Sequence, residues 1–321
     1  MTVDRDAAKS TIYERIARIA KYFVPPALRP RLRKEYSYIV RFMRDRREKR
    51  ELRQYQEHGG TYLAWYAKRL NRGANDPAGK RDVADWMSTG DADLRVAVAL
   101  GLKPHHSFYE FGCGDFRAGN RFIRYLESGK YAANDASGER IKYGETCLKQ
   151  ILGEEMLRQK APQFFVNVDN SFDWLKGRKF DFLWASAVLP HMPEHDIADS
   201  FDNLRKAMHD GSVFLFTYSE ASIDEFRVFP RLSGDEKHRA VLELAERSNT
   251  SYVIRALEAA RGQKCVEVSV KDWFHTFDFY RGIAEPRGYA IEDVTRVLPS
   301  EEADGFQMWD KLVKVTLRRN T

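Results

Sequence analysis

The sequence predicts an α/β fold, a mostly parallel sheet with helices on both faces. A basic helical extension precedes it and a helical cap is inserted late. Three observations predict this. From Ser107 onward, short apolar runs alternate with helical stretches, which is the pattern of βαβ units. The first run, Ser107–Glu110, ends in an acid and turns at once through Gly112 and Gly114. A second run, Tyr131–Asn134, is followed directly by another acid, Asp135.

The chain has 321 residues, 43% of them hydrophobic, enough for one large domain plus an extension. Its charge is unevenly placed. Residues 1–55 hold 16 Lys and Arg against 7 Asp and Glu, a balance of +9, so the remainder must carry about −3 of the total +6. Within this arm Ile12, Ile16, Ile19 and Phe23 recur at helical spacing, Pro25, Pro26 and Pro30 interrupt, and Tyr36–Gln56 resumes as a basic helix. Residues 1–58 are therefore expected to form a separate helical extension. It would brace the domain, lie on an anionic membrane surface or meet a protein partner. Nucleic acid is the disfavoured partner, because the rest of the chain has no basic surplus.

Three cysteines, Cys113, Cys147 and Cys265, show no C-x-x-C spacing, which argues against a zinc site or a disulfide framework. No stretch reads as a signal peptide or a membrane span. The expectation is a cytoplasmic protein, held at most at the inner face of the membrane by its arm.

Residues 59–321 are expected to form the main domain. Gly59–Ala78 and Trp86–Gly101 read as helices ahead of the first strand, with Gly73–Gly79 a loop between them. The turn after that strand is the most informative segment, S-F-Y-E-F-G-C-G-D-F-R-A-G over Ser107–Gly119. Glycine lacks Cβ and tolerates positive φ, so bare backbone comes close to a ligand there. The acid at Asp135, ending the second strand, is placed to take both hydroxyls of a ribose. A dinucleotide fingerprint would need its third glycine at position 117, where the chain has Arg117. The acid two residues before Gly112 is also unsuited to a pyrophosphate. A phosphate-free cationic nucleoside fits better.

With Glu110-x-Gly112-x-Gly114 in place, the chain resembles the class I S-adenosylmethionine-dependent methyltransferases. More narrowly, G-C-G-D-F-R-A-G is similar to a bacterial subgroup with a G-C-G-x-L-R-G-G first motif, many of whose members sit among surface-polysaccharide genes. The resemblance spans about Asp85 to Leu317 and implies a Rossmann-like seven-stranded sheet with the last strand antiparallel. It implies S-adenosyl-L-methionine as cofactor, with Glu110, Gly112, Cys113, Gly114 and Arg117 around its methionine end and Asp135 on its ribose. The third strand, Gln163–Val168, ends in N-V-D-N-S-F; Asp169 and Asn170 are carried over for the adenine amine and Phe172 for the ring face. The fourth, Phe180–Ser186, runs through Ala185 into A-S-A-V-L-P-H-M-P beneath the sulfonium. His191 in that segment is the first candidate general base, since imidazole titrates near neutrality.

Helix Ile197–Met208, turn His209–Gly211 and strand Val213–Tyr218 follow, and Tyr289–Val297 with Lys311–Arg318 reads as a closing hairpin pair. Between them, residues 219–288 interrupt the sheet for longer than the plain fold requires. Helices Glu236–Arg247 and Tyr252–Gly262 are expected to form a lid over the acceptor. D-W-F-H-T-F-D-F-Y over Asp272–Tyr280 then interleaves aromatics with acids, as a sugar site does or as the core stripe of a helix does. His275 is the second catalytic candidate. No metal is assigned; Asp272 and Asp278 are the alternative pair for a divalent ion of the kind some sugar methyltransferases use.

The expectation is an O-methyltransferase (EC 2.1.1.-) acting on a sugar or lipid-linked glycan in polysaccharide biosynthesis, by in-line methyl transfer. The rivals are a methyltransferase that reaches RNA or another macromolecule through the basic arm, and a non-catalytic cofactor-binding module.

Overall fold

The structure is a computed structural model that describes residues 29–73, 87–88, 90–226, 232, 234–247, 250–298 and 310–318. The chain divides into two compact units, Met1–Glu51 and Leu52–Thr321. The expectations at Ile12 through Pro26 lie outside the described residues. The division falls inside a long helix, α1 (Arg29–Glu57). Pro30 sits in its first turn, where the missing N–H costs no hydrogen bond. In the first unit Lys49 pairs with Asp45 at 3.2 Å and Arg47 with Glu51 at 3.8 Å, while Phe42 and Met43 stand exposed. Among the described residues no helix is long and apolar enough to cross a membrane.

The second unit is built on a seven-stranded sheet. In chain order its strands are β1 (Phe108–Phe111), β2 (Tyr131–Asp135), β3 (Gln163–Val166), β4 (Phe180–Ala185), β5 (Met208–Ser219), β8 (Tyr289–Asp293) and β9 (Asp310–Leu317). They lie side by side as β3-β2-β1-β4-β5-β9-β8. The first five are parallel, and β9 runs antiparallel to both β5 and β8. The seven-stranded, mostly parallel, Rossmann-like architecture expected from the sequence is therefore the one observed.

The continuous apolar runs follow from burial on both faces. Tyr109, Phe111, Leu183 and Phe216 point to one side, against Ile197 and Phe201 of helix α7 (Glu194–Leu204) and Phe279, Tyr280 and Ile283 of α10 (Phe277–Ala284). Phe108, Phe182, Trp184 and Leu215 point to the other, against α3 (Asp91–Ala99), α4 (Gly119–Tyr125) and α5 (Gly138–Leu152). The period of two along each strand divides the residues between these cores. Strand β5 begins five residues earlier than expected, and the His209–Gly211 turn becomes an irregularity within it, where pairing with β4 slips between Phe180 and Phe182.

The inserted segment has its own small core, Phe226, Val241, Ala245, Ile254, Leu257, Val266 and Phe274, under helices α8 (Gly234–Arg247) and α9 (Ser251–Ala259). It also contains an antiparallel hairpin, β6 (Cys265–Ser269) with β7 (Asp272–His275). Asp272–Tyr280 is thus neither one helix nor one loop. It is a strand, a cap at Thr276 whose side chain accepts from the Phe279 N–H, and then α10. Helix α10 belongs to the main sheet and not to the inserted core.

Helix α2 (Tyr62–Gly73) closes the front of this unit. Tyr62 and Trp65 are buried beside Val270 and Trp273 of the hairpin region, with Tyr62 edge-on to Trp273 at 5.4 Å. Burying each such aromatic contributes about 2–3 kcal/mol, so α2 and the hairpin stand as one wall.

Candidate active site

In an open α/β sheet ligands bind outside the carboxyl ends of the strands, where the strand order reverses. Here the reversal lies between β1 and β4, and a cleft open to solvent sits there. Phe111 and Gly112 enter it from β1, Asn134 and Asp135 from β2, Asn167, Asp169 and Asn170 from beyond β3, and Ala187, Val188, His191 and Met192 from beyond β4. Leu63, Tyr66 and Leu70 of α2, on one helical face, form the opposite wall, and Arg140 of α5 lies at the edge.

The glycine turn is pinned by two hydrogen bonds, from the N–H groups of Gly112 (3.0 Å) and Cys113 (2.8 Å) to the Asn134 carbonyl. Gly112 has φ +74°, and a Cβ there would lie 2.5 Å from a Val188 methyl. Gly114 has φ +57°, and its missing Cβ leaves room for the Arg140 guanidinium, which would otherwise be 2.8 Å away. The turn feeds one oxygen of Asp135, which accepts from the Gly114 N–H at 2.9 Å; the other accepts from the Ser137 N–H at 2.8 Å. Burial pushes the Asp135 carboxyl up, while Arg140 and these two N–H groups pull it down. Ser137 in turn donates to Asn71 of α2 at 2.6 Å, tying the wall to the segment that holds Asp135.

Beyond β3, Asn170 is buried and lines the cleft; its amide nitrogen donates to the Asp196 carbonyl at 3.3 Å, and its Oδ1 is buried without a partner. Such an oxygen is costly unless a donor arrives. Asp169 is exposed and accepts from the Ser171 N–H at 2.8 Å.

His191 follows β4 in a short 3-10 turn, Leu189–His191. Its Nδ1 lies 2.9 Å from the Lys271 carbonyl and 3.1 Å from Oδ1 of Asp272. Tyr66 stacks on its ring at 6.0 Å, and the Tyr62 hydroxyl donates to its carbonyl at 2.9 Å. Burial pushes the Asp272 carboxyl up. Donation from His191 Nδ1, the charge of that ring when it is protonated, and then the Ser269 hydroxyl at 2.6 Å outweigh that and hold it down to about 2.

Several sequence-derived candidates stand elsewhere. Glu110 lies behind the cleft and not in its wall. Its Oε2 accepts from the Tyr131 hydroxyl, and burial pushes its carboxyl up to about 8, so the side chain is a neutral acid at pH 7. Arg117 is turned to the fully buried Asp93 at 2.8 Å and does not line the cleft. Cys113 and Ala185 are buried beside the turn and at the end of β4. Phe172 packs edge-on to Tyr109 within the core, with φ +55°, rather than offering its face to the cleft.

His275 requires a correction. It is fully buried between Phe279, 4.3 Å away and stacked, and Tyr280, whose hydroxyl meets its Nδ1 at 3.0 Å. Burial pushes its ring down to about 3, so it is a neutral core residue that no acceptor in the cleft can reach. Asp272 and Asp278 also part company, since Asp278 pairs with Arg281 at 2.6 Å. Among the described residues no three His, Cys, Asp or Glu side chains gather as metal ligands.

The residues that sequence reasoning missed are Tyr66, Leu63 and Leu70, Asn134, Asn167, Arg140, and Asp272 as the partner of His191. The 3-4 spacing of Leu63, Tyr66 and Leu70 was a readable signal for one apolar face. The His191–Asp272 contact had none, because the two belong to different segments of the fold.

No family model and no curated protein matches the chain. Solved structures with a similar course of backbone include magnesium protoporphyrin IX methyltransferase from Synechocystis PCC 6803 with bound SAH. It is 13% identical at a TM-score of 0.48, over 79% of this chain and 98% of that one. A TehB-like SAM-dependent methyltransferase from Corynebacterium glutamicum is 13% identical at 0.42, over 80% and 98%. The glycopeptide N-methyltransferase MtfA is 13% identical at 0.45, over 74% and 92%. These are loose likenesses, and the chemistry of the site stands on its own geometry.

Proposed function

We propose that this chain is an S-adenosylmethionine-dependent methyltransferase of class I type that methylates a hydroxyl of a sugar or lipid-linked glycan. The observation that carries the cofactor reading is the Asp135 carboxylate, fixed by the Gly114 and Ser137 N–H groups in the wall of the cleft. It is the geometry that receives a ribose diol. The unpartnered Oδ1 of Asn170 in the same cleft suits the exocyclic amine of an adenine. Leu63, Tyr66, Leu70 and Val188 supply an apolar wall against which a bound cofactor would be shielded from water. The N–H groups of Gly112, Cys113 and Gly114 are spent on Asn134 and Asp135, which leaves none of these three for a pyrophosphate.

When bound, the cofactor supplies an activated methyl group on a sulfonium. The chain's own share is alignment and removal of a proton. His191 stands at the cleft with one ring nitrogen committed to Asp272 and Lys271, which leaves the other for an acceptor hydroxyl. In the ligand-free protein Glu110 is a buried, neutral acid behind the cleft, so Asp135, Asn170 and the apolar wall carry the affinity in this reading.

Calorimetry with S-adenosylhomocysteine and S-adenosylmethionine tests the cofactor: uptake is expected, lost at least about tenfold in Asp135→Ala, for about 1.4 kcal/mol or more. Uptake of a nicotinamide dinucleotide in their place would refute it. A panel of sugar nucleotides and lipid-linked glycans tests the acceptor, and transfer confined to RNA or protein would reject the glycan.

A further inference from the structure

We infer that Asp272 is a positioning residue for methyl transfer. With the Lys271 carbonyl it fixes His191 in the Nδ1–H tautomer, leaving Nε2 bare to take a proton from a hydroxyl acceptor. The inference rests on the methyltransferase reading above and narrows it to acceptors that keep their proton until transfer.

The two neighbours of His191 Nδ1, a backbone carbonyl at 2.9 Å and a carboxylate oxygen at 3.1 Å, are both acceptors only. A bare Nδ1 would face two lone pairs, so the proton sits there and Nε2 is the acceptor. Asp272 is itself held: its second oxygen accepts from Ser269 Oγ at 2.6 Å, within the same hairpin. The His191 ring has little room to turn, with Tyr66 stacked on it and Tyr62 holding its carbonyl. Asp272 does not line the cleft and His191 does, which separates the orienting group from the group that meets substrate.

The balance of the step is simple. The acceptor oxygen forms a bond to the methyl carbon, the carbon–sulfur pair stays on sulfur, and the hydroxyl proton passes to Nε2. The imidazolium so formed lies against the ionised Asp272, which stabilises the new charge. An acceptor that is already an anion gains nothing from this arrangement, whereas an alcohol does. Because Asp272 and Lys271 come from the β6–β7 hairpin and His191 from the loop after β4, the base is complete only when the hairpin is seated.

The test uses the full chain, nitrogen-15 labelled at histidine. Wild type should show His191 with Nδ1 protonated and Nε2 bare. Asp272→Ala, and Asp272→Asn with its amide able to donate to Nδ1, should move the proton toward Nε2. Affinity for S-adenosylhomocysteine should stay within about threefold, and with any hydroxyl acceptor found in the panel kcat should fall by about 10²-fold with KM little changed. Ser269→Ala, a milder change should the aspartate variants fail to fold, should shift the tautomer in the same direction. A wild-type ring protonated at Nε2, or a tautomer and kcat indifferent to all three substitutions, overturns the inference. Failure to bind S-adenosylhomocysteine with the expected tautomer intact would instead sink the cofactor reading and leave the orientation of His191 standing.

Discussion

Glu110→Gln should stabilise the ligand-free protein in alkaline solution and leave it unchanged in acid. The Glu110 carboxyl is buried at the end of β1, with Tyr131 donating to it, and burial raises it from 4.5 to about 8. The folded chain therefore keeps a proton that the unfolded chain has lost, and stability falls as pH climbs from about 4.5 to about 8. A gap of about three and a half pH units at about 1.4 kcal/mol each gives about 5 kcal/mol, with about 3 kcal/mol of it already spent at pH 7. Local opening that hydrates the carboxylate before the chain unfolds makes the first figure a ceiling. Glutamine keeps an acceptor for Tyr131 and carries no charge. Urea unfolding at pH 4.5, 7 and 9 should find variant and wild type equal at the first, and the variant ahead by about 2–3 and then 3–5 kcal/mol. A gap independent of pH, or a variant weaker at pH 9, would show that Glu110 is ionised in the fold and would refute the reasoning.

Three more expectations can be measured in the same way. Arg117→Ala leaves the fully buried Asp93 without its partner at 2.8 Å, and thermal unfolding should register a loss of about 3 kcal/mol. Gly112→Ala forces a Cβ to 2.5 Å from Val188 at φ +74°; a cost of about 1–3 kcal/mol is expected, together with weaker uptake of S-adenosylhomocysteine. His275 is raised to 6.5 on unfolding from about 3 in the fold, so the native state resists a proton that the unfolded chain accepts, and stability drops as pH falls from 6.5 toward 3. His275→Asn should flatten that acid limb by about 1.4 kcal/mol per pH unit, and an unchanged slope would contradict a neutral buried ring.

Much of the sheet was legible because each central strand is buried on both faces and so reads as a plain apolar run. Phe108–Phe111, Tyr131–Asp135 and Phe180–Ala185 fell within a residue of their expected limits for that reason. The β6–β7 hairpin was not legible. Its turn, Val270–Lys271, carries none of the Gly, Asn or Asp that marks a two-residue connection. The aromatics of Asp272–Tyr280 then ran together as one stripe, although Thr276, the cap of α10, was a sign that the stripe has two parts. In the site, the glycine turn, Asp135, Asn170 and His191 were readable because each lies at, or within six residues beyond, the carboxyl end of a strand. Whether a carboxylate faces solvent or a tyrosine was not readable: Glu110 and Asp135 both end strands, and only the fold turns one toward Tyr131 and the other into the cleft. The His191–Asp272 pairing lay beyond reach for a related reason. It joins a loop to a hairpin about eighty positions later, and no local rule links them.

Strand β9 has a consequence for how the molecule is made. It is the last strand of the sheet in chain order, yet it lies inside the sheet, with Phe214↔Val315 on one flank and Ile291↔Val315 on the other. A nascent chain that has emerged only as far as β8 therefore exposes the edge of β5 along Phe214–Ser219, with nothing to pair it. Until β9 slides into that gap, the half-built domain is open to any extended polypeptide that can take its place, so synthesis speed and chaperone holding over the closing residues should govern the yield of native protein.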